Sequence, residues 1–306
     1  MRPRRALPVQ ALQSGLPPGK GPARSGLVEL MAQTLISAAD AMSRLGDADT
    51  VFLDGSWTFP GGPQDGAEGC IPGSRPFDID QVRDTANPLP HMLPDAETFT
   101  RHVRAMGINA DSRLVIYDRF GLFSAARVWW MFKAMGHDQT QVLDGGLPAW
   151  VAAGGTIADS HDTSQQVGDF VACFKPERVI DRVGVEAAIR DGSAQILDSR
   201  GKARFTARVP EPRQGMRSGH MPGARNLPFT RLIGAGGRLA PDPALFESAG
   251  LDPHRPVITT CGSGVTACIL SLALDCLGRQ SAVYDGSWSE WGSRPDTEIE
   301  TGRAPS

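Results

Sequence analysis

The chain has 306 residues, of which 41% are hydrophobic, and a formal net charge of −3, so it is long enough to bury the cores of two domains. The sequence pI of about 6.1 gives no global attraction to nucleic acid or to an anionic membrane. No stretch approaches the roughly 18 consecutive apolar residues of a membrane span. The five cysteines, an odd number without a Cys-x-x-Cys pair, favour a reducing compartment, and we expect the cytoplasm.

The first 28 residues are basic and rich in proline. Five prolines oppose a continuous helix, and the first acidic residue is Glu29. A transit peptide shares the basic, acid-poor composition, but it needs an amphipathic helix that these prolines disfavour. We therefore expect residues 1–28 to be a disordered extension, with Met31 as an alternative functional start.

Two segments of the chain repeat the same order of motifs. A strand ending in Asp comes first, then a Pro-Gly turn, then a strand, loop and helix, and finally Asp-Gly with Trp six residues after the Asp. The motifs lie at 52–56, 71–73, 114–135 and 144–150 in the first unit, and at 196–200, 221–223, 257–277 and 285–291 in the second. The two strand-end aspartates precede the Asp-Gly aspartates by 90 and 87 positions (144 − 54 and 285 − 198), so the units are nearly equal in size.

Short apolar strands alternate with helical patterns within each unit. In the second unit, the patterns predict helices at 183–190 and 244–249 and strands at 194–197, 257–260 and 282–284. This alternation predicts an α/β fold in which each unit has a mainly parallel sheet flanked by helices. The segment between the units is rich in Gly, Ser, Thr and Asp, which indicates a linker. We place the first unit at 29–153, the linker at 154–178 and the second unit at 179–306.

Cys261 stands where an apolar strand meets a loop of small residues, 261–266, that opens a helix. Ligands of parallel sheets bind at the carboxyl ends of the strands. A Gly-rich turn at a helix N-terminus directs backbone N–H groups at a side chain there and favours its anionic form. We therefore predict that Cys261 is a nucleophilic thiolate, the alternative being an inert buried cysteine. Asp118 has the equivalent position in the first unit, which predicts that only the second unit is catalytic.

Together these features resemble the tandem rhodanese-domain sulfurtransferases, in which an inactive N-terminal domain precedes an active C-terminal one. The resemblance covers roughly residues 35–300. It rests on the motifs at 219–224, 261–267 and 285–292, and on those at 88–94 and 127–131 in the first unit. It implies two rhodanese-like domains, the second of them catalytic, with no cofactor and no metal.

The loop distinguishes two branches of this family. Thiosulfate sulfurtransferases often carry cationic residues directly after the nucleophile, whereas Gly262 and Ser263 are neutral. The loop Cys-Gly-Ser-Gly-Val-Thr resembles instead the branch that acts on 3-mercaptopyruvate, a substrate whose carboxylate suits the two-pronged hydrogen bonding of arginine. The resemblance implies sulfur transfer from 3-mercaptopyruvate through a Cys261 persulfide to a thiol or cyanide, with release of pyruvate. Thiosulfate is the alternative donor.

The resemblance also assigns roles to individual residues. Cys261, Ser263 and Thr266 are expected to be catalytic, with Ser263 as a hydrogen-bond or proton partner of the reacting sulfur. The expected substrate-binding residues are Arg204, Arg213, Gly262, Gly264 and Val265.

One position departs from the family pattern. The family has a histidine before Ile-Pro-Gly in the first unit, a residue implicated in a proton relay, and this chain has Cys70 there. A thiol cannot replace imidazole near neutral pH, so either that relay is dispensable or turnover is slower. His220, at the matching place in the second unit, is expected to be structural.

Two functions of other classes are weighed against this interpretation. A cysteine-based phosphatase of the same fold needs arginine six positions after the nucleophile, where this chain has Ala267. A non-catalytic sulfur carrier or binding module would lack the nucleophile or an intact loop. The expected partners are a small-molecule sulfur donor and a thiol acceptor such as a reduced thioredoxin-like protein, with neither nucleic acid nor membrane.

Overall fold

Two five-stranded sheets, parallel throughout, organise the computed structural model, which describes residues 24–59 and 62–302. The strands are β1 (Leu35–Ile36), β2 (Thr50–Asp54), β3 (Arg75–Pro76), β4 (Arg113–Tyr117) and β5 (Thr140–Leu143) in the first unit, and β6 (Val179–Ile180), β7 (Gln195–Asp198), β8 (Arg225–Asn226), β9 (Val257–Thr260) and β10 (Ala282–Tyr284) in the second. Their spatial orders are β1-β5-β4-β2-β3 and β6-β10-β9-β7-β8. The α/β fold is confirmed, and the matching orders reproduce the repeat seen in the sequence.

Helices connect the strands. They are α1 (Arg24–Thr34), α2 (Ala38–Ser43), α3 (Ala96–Ala105), α4 (Ala125–Ala134), α5 (Gly146–Ala152), α6 (Arg182–Asp191), α7 (Lys202–Phe205), α8 (Pro243–Ser248), α9 (Ala267–Cys276) and α10 (Ser287–Trp291). At the start of α6, Asp181 Oδ1 accepts the Gly184 amide at 2.8 Å, a side-chain cap for an otherwise unpaired N–H. Within the described part of the chain, no helix combines the length and the apolar character needed to cross a bilayer.

Helix α1 begins inside the segment that the sequence predicted as disordered. Residues 24–28 are helical, so the prediction does not hold for them, whereas residues 1–23 lie outside the described residues. Pro22 is the last proline of the segment, and a helix can begin once the prolines end.

The hydrophobic core runs through both units. Helices α4 and α9 pack against each other and are buried along most of their length. A single cluster of buried side chains extends from Val51 and Trp129 in the first unit to Ile269 and Val283 in the second. Five tryptophans of the described residues are at most 2% exposed: Trp129, Trp130, Trp150, Trp288 and Trp291.

Residues 154–178 lie along the first unit. Ala158 forms an isolated antiparallel bridge with Cys70, and the ring of Phe170, 2% exposed, lies 6.0 Å from that of Phe99. Arg104 Nε also donates to Phe170 O at 2.7 Å. This segment is therefore packed against the first unit, although its composition is that of a linker.

Two reciprocal hydrogen bonds join the units. Asp144, in the Asp-Gly motif of the first unit, accepts the Leu239 amide of the second unit at 2.8 Å. Asp285, in the matching motif of the second unit, accepts the Leu93 amide of the first unit at 2.7 Å. The sequence repeat is therefore visible in the contacts between the two units as well as in the strand order of the two sheets.

Candidate active site

Cys261 follows β9 directly and is 2% exposed. Residues 261–266, the Cys261 loop, are held from outside by α10: Cys261 O accepts the Trp288 amide at 3.0 Å, and Gly262 O accepts the Ser289 amide at 2.8 Å. Within the described part of the chain, none of the amides of residues 262–267 donates to a protein acceptor. A set of unpaired N–H groups at a helix N-terminus is a site for an anion.

The corresponding loop of the first unit already contains an anion. Asp118 Oδ1 accepts the Phe120 amide at 2.9 Å, and Oδ2 accepts the amides of Phe123, Ser124 and Ala125 at 2.7, 2.9 and 2.9 Å. Burial raises the pKa of Asp118, and the four amides oppose that shift. The Asp118 carboxylate therefore accepts the amides of the first unit's loop. An anion on the Cys261 sulfur would accept the amides of the second unit's loop in the same way.

Two arginines predicted to bind substrate converge on the Cys261 loop. Arg204 donates to both oxygens of Glu211, at 3.2 and 2.5 Å, and its Nη2 lies close enough to Gly262 that a Cβ there would be 3.1 Å away. Arg213 Nη1 donates to Ser289 Oγ at 2.8 Å, and Ser289 Oγ donates to Gly262 O at 2.7 Å. The two guanidinium groups therefore reach the same part of the loop by different routes.

A third arginine explains how Arg204 is held. Arg200 is buried and donates to Asp198 Oδ2 at 2.9 and 2.7 Å, to Asp198 Oδ1 at 3.2 Å, and to Glu211 at 2.8 Å. Its guanidinium also stacks 4.2 Å from the centre of the Trp288 ring. Glu211 thus pairs with two arginines, and the buried Arg200 holds Glu211 in the position where it binds Arg204.

The other predicted residues of the loop differ in their contacts. Thr266 Oγ1 forms a 2.8 Å hydrogen bond with Ser199 Oγ, which ties the end of the loop to the strand end of β7. Ser263 is 9% exposed, and its hydroxyl has no hydrogen bond to a described residue. Val265 is buried. Of these side chains, only Ser263 offers a polar group free for a ligand.

A histidine of the first unit faces the same region and was missed in the sequence. His91 Nδ1 lies 2.7 Å from Asp80 Oδ1, in a contact poorly angled for a hydrogen bond, and Nε2 has no partner among the described residues. Its ring packs 4.6 Å from that of Trp57, which donates to Asp80 at 2.7 Å. Burial lowers the pKa of His91 to about 4; Asp80 opposes this shift, and the nearby charge of Arg213 adds to it.

Cys70 occupies a different environment. Its Sγ lies 3.4 Å from Ala158 O of the linker segment, and burial raises the pKa of its thiol. The sequence analysis considered only position 70 as the place of a first-unit histidine. The histidine that lies near Arg213 in the structure is His91. The signal was present, because His91 lies in the motif 88–94 that carries part of the family resemblance. His220 is structural as predicted: Nδ1 lies 2.9 Å from Phe205 O, and its ring stacks on that of Phe205.

The two parallel sheets have the same strand order, and in the second a cysteine follows a central strand in a loop of unpaired amides. These features define a tandem protein of the rhodanese class. The profile of the Rhodanese-like domain matches residues 37–153 and 183–294. The chain belongs to this family.

The chain is similar along most of its length to named sulfurtransferases. It is 39% identical to the 3-mercaptopyruvate sulfurtransferase of Escherichia coli K12 over 88% of this chain and 99% of that protein. It is 38% identical to the human 3-mercaptopyruvate sulfurtransferase over 82% of this chain and 89% of that one. The solved structure of SseA from Escherichia coli, titled a 3-mercaptopyruvate sulfotransferase, is 37% identical and superposes with a TM-score of 0.74, covering 83% of this chain and 98% of that one.

Proposed function

We propose that the protein is a sulfurtransferase that moves sulfur from 3-mercaptopyruvate through a persulfide on Cys261 to a thiol or cyanide acceptor. The observation that carries this proposal is the convergence of Arg204 and Arg213 on Gly262, the residue next to the nucleophile. Their planar, charged groups suit a substrate that has a carboxylate beside a ketone. The names of the relatives support the same donor.

In the first step, the Cys261 thiolate attacks the thiol sulfur of 3-mercaptopyruvate. A sulfur–sulfur bond forms, the carbon–sulfur bond breaks, and its electron pair leaves on the enolate of pyruvate, which then takes a proton at carbon. Covalent catalysis divides the transfer into two displacements. In the second step, an acceptor thiolate or cyanide takes the outer sulfur and restores the Cys261 thiolate.

The loop amides and Arg213 would stabilise the charges that these steps create. The N–H groups of residues 262–267 have no acceptor among the described residues, and if they point at the sulfur they would need no rearrangement when charge develops there. Desolvation lowers the pKa of Arg213, and the neighbouring Cys261 side chain opposes that shift, as expected for a cation next to a thiolate. Binding of a carboxylate would add a second anion to this guanidinium.

Proton transfer can be assigned to groups with free polar atoms. Ser263 carries an unbonded hydroxyl in the loop, and His91, neutral above pH values of about 4, has an unpartnered Nε2. A neutral imidazole can accept and donate hydrogen bonds, but a pKa of about 4 makes it a weak base at neutral pH, so Ser263 is the better candidate for the proton step and His91 for hydrogen bonding to the substrate. We assign catalysis to the second unit, residues 179–306, with His91 as a contribution from the first unit, residues 29–153.

The physiological acceptor in this proposal is a thiol, either small or carried by a reduced thioredoxin-like protein, and the location is the cytoplasm. The reduced state of the cysteines supports that location. One relative from Arabidopsis thaliana carries the word mitochondrial in its name, so fractionation of cells that express the tagged full chain is the test of location.

Thiosulfate is the second candidate donor. The guanidinium groups beside Gly262 are cations that would attract a small dianion, and two Arabidopsis thaliana relatives are named thiosulfate/3-mercaptopyruvate sulfurtransferases. The neutral side chains of Gly262 and Ser263 favour mercaptopyruvate over thiosulfate.

The decisive experiment compares the two donors in one preparation. Pyruvate and sulfide release from 3-mercaptopyruvate with dithiothreitol is measured beside thiocyanate formation from thiosulfate and cyanide. We expect a higher kcat/KM with mercaptopyruvate, no turnover in Cys261→Ser, and unchanged turnover in the control Cys173→Ser, since Cys173 is exposed and lies outside the loop. Preference for thiosulfate would contradict the donor assignment, and activity that survives Cys261→Ser would contradict the nucleophile.

A further inference from the structure

The guanidinium of Arg127 projects from α4 of the first unit into the second unit. Arg127 is fully buried. Its Nη1 lies 2.5 Å from Asp285 Oδ1 and 3.2 Å from Gly264 O, and its Nη2 donates to His91 O. A buried guanidinium is tolerated only when its charge is paired, so these contacts hold the side chain in one position, although Nε has no hydrogen-bond partner among the described residues.

One of these contacts sets the orientation of a peptide group in the Cys261 loop. Gly264 O accepts from Arg127 and lies 3.2 Å from the Sγ donor of Cys268. In a planar trans peptide, the N–H points opposite to the C=O. The Val265 amide, one of the unpaired donors of the loop, is therefore directed away from Arg127.

The backbone at Gly264 also depends on this arrangement. Its φ is +79°, and a Cβ at this position would lie 2.8 Å from Asp285 O and 2.9 Å from Arg127 Nη1. Glycine is therefore required both by the left-handed conformation and by the close approach of the guanidinium.

Among the described residues, an arginine of the first unit contacts the loop of the second unit, and no arginine makes the equivalent contact from the second unit to the first. Arg127 is the third residue of α4, whereas the third residue of α9 is the apolar Ile269. Asp144, the first-unit counterpart of Asp285, accepts the Leu239 amide across the interface but has no guanidinium from α9 among the described residues. The guanidinium thus reaches the loop that carries the nucleophile, and the loop filled by the Asp118 carboxylate has no equivalent.

We propose that Arg127 is a positioning residue for sulfur transfer: by holding Gly264 O and Asp285, it orients the amides of the Cys261 loop toward the sulfur. The first unit thereby completes the active site of the second. The inference rests on the proposed function, because the sulfur anion and the persulfide are the species that these amides stabilise. Arg127 acts through the loop, so its loss lowers turnover more than substrate affinity.

Steady-state kinetics with 3-mercaptopyruvate test this role. We expect Arg127→Lys, which keeps the charge but loses the fork, to lower kcat by about 10- to 100-fold, with KM changed by less than about threefold. Asp285→Asn keeps the side-chain shape and serves as the second variant; we expect about a tenfold lower kcat.

The matched control is Asp144→Asn, which alters the reciprocal contact between the units; we expect its kcat to stay within about twofold, even if its Tm falls. Comparable kcat for Arg127→Lys and the wild type, or equal losses in Asp144→Asn, would overturn the proposal.

A second readout needs no sulfur donor. Alkylation of Cys261 by iodoacetamide is followed by peptide mass spectrometry between pH 5 and 9, with the exposed Cys173 as an internal control in the same sample. Because an amide bonded to an anion contributes a free energy equivalent to about a tenfold effect, we expect about tenfold slower alkylation of Cys261 at pH 7 in Arg127→Lys. Cys173 should not change. If the wild type transfers sulfur from neither donor, the proposed function fails while this assay still tests Arg127, and an unaltered Cys261 profile would refute the positioning role.

Discussion

At the residue scale, the same place in two similar loops holds two different side chains, a carboxylate and a cysteine. Asp118 fills the first loop with a carboxylate that accepts four amides. Cys261 leaves the amides of the second loop unpaired. A carboxylate cannot act as a sulfur nucleophile, and the amides around it are already satisfied, which supports our proposal that the second unit is the catalytic one.

Arg213 is the residue whose removal best separates substrate binding from the rest of the site. We expect Arg213→Met to raise KM for 3-mercaptopyruvate by about 10- to 100-fold, since a charged hydrogen bond to a carboxylate contributes roughly 1.5–3 kcal/mol. The control is Arg208→Met, an exposed arginine of the same basic segment; we expect its KM to match that of the wild type. Equal effects of the two substitutions would show that the segment acts only through its net charge.

His91 makes the stability of the protein depend on pH. Its pKa is about 4 in the folded state against 6.5 ordinarily, chiefly because it is buried. The unfolded state therefore binds the additional proton first, and the folded state loses stability as the pH falls from 6.5 toward 4, by about 3 kcal/mol at most. In urea unfolding at pH 7 and pH 4.5, we expect His91→Asn to show a smaller acid-induced loss than the wild type. Asparagine tolerates the φ of +58° at this position.

The matched control for that measurement is the exposed His254. His254→Asn should keep the pH dependence of the wild type. A wild-type loss of stability that persists unchanged in His91→Asn would assign the acid sensitivity to other groups.

The sequence predicted the site residues that lie in one continuous motif and missed those that arrive from elsewhere. Cys261 and its loop could be identified because a strand, small residues and a helix follow each other directly. Arg204 and Arg213 came from the family resemblance. Arg127 and His91 lie on the first unit, and only the packing of the two units brings them to the loop. No local pattern reveals that contact.

At the element scale, strand positions followed closely from apolar runs between turn residues. The predicted strands at 257–260 and 282–284 have those bounds in the structure, whereas the helices predicted at 183–190 and 244–249 span Arg182–Asp191 and Pro243–Ser248. The order of the strands required tertiary contacts and was not available from local patterns.

The segment at 154–178 shows how composition can misrepresent an element. We expect Phe170→Ala to lower the free energy of unfolding by about 3–5 kcal/mol, since it removes a buried ring that packs on Phe99 and Phe132. Val171→Ala alters the next residue, which is 64% exposed, and should cost less than about 0.5 kcal/mol. Urea denaturation measures the free energy of unfolding of both variants. If Phe170→Ala leaves it unchanged, residues 154–178 contribute nothing to stability and are only a linker.

At the scale of the whole molecule, the two units share one core. Helices α4 and α9 are buried against each other, and Arg127 and Asp285 form an ion pair across the same interface. Interfaces between domains are commonly polar, whereas the two helices that meet here are largely apolar and buried. We expect neither unit to be stable alone, because separation would expose the apolar faces of both helices to water.

This continuity predicts that the protein unfolds in one cooperative transition. In scanning calorimetry, the van't Hoff and calorimetric enthalpies should agree within about 10%. Circular dichroism and tryptophan fluorescence, whose reporters lie in both units, should give the same midpoint. Two resolved transitions, or midpoints that differ between probes, would mean that the units unfold independently.

The reciprocal bonds Asp144–Leu239 and Asp285–Leu93 have a consequence for the origin of the chain. Each unit presents the same patch to the other, which is the geometry of an isologous contact in a two-fold symmetric homodimer. A gene duplication that fused two such subunits would preserve the contact while freeing one copy from catalysis. The two copies would then have diverged at one shared surface. The first copy provides the arginine on its helix, and the second provides the cysteine in the opposite loop.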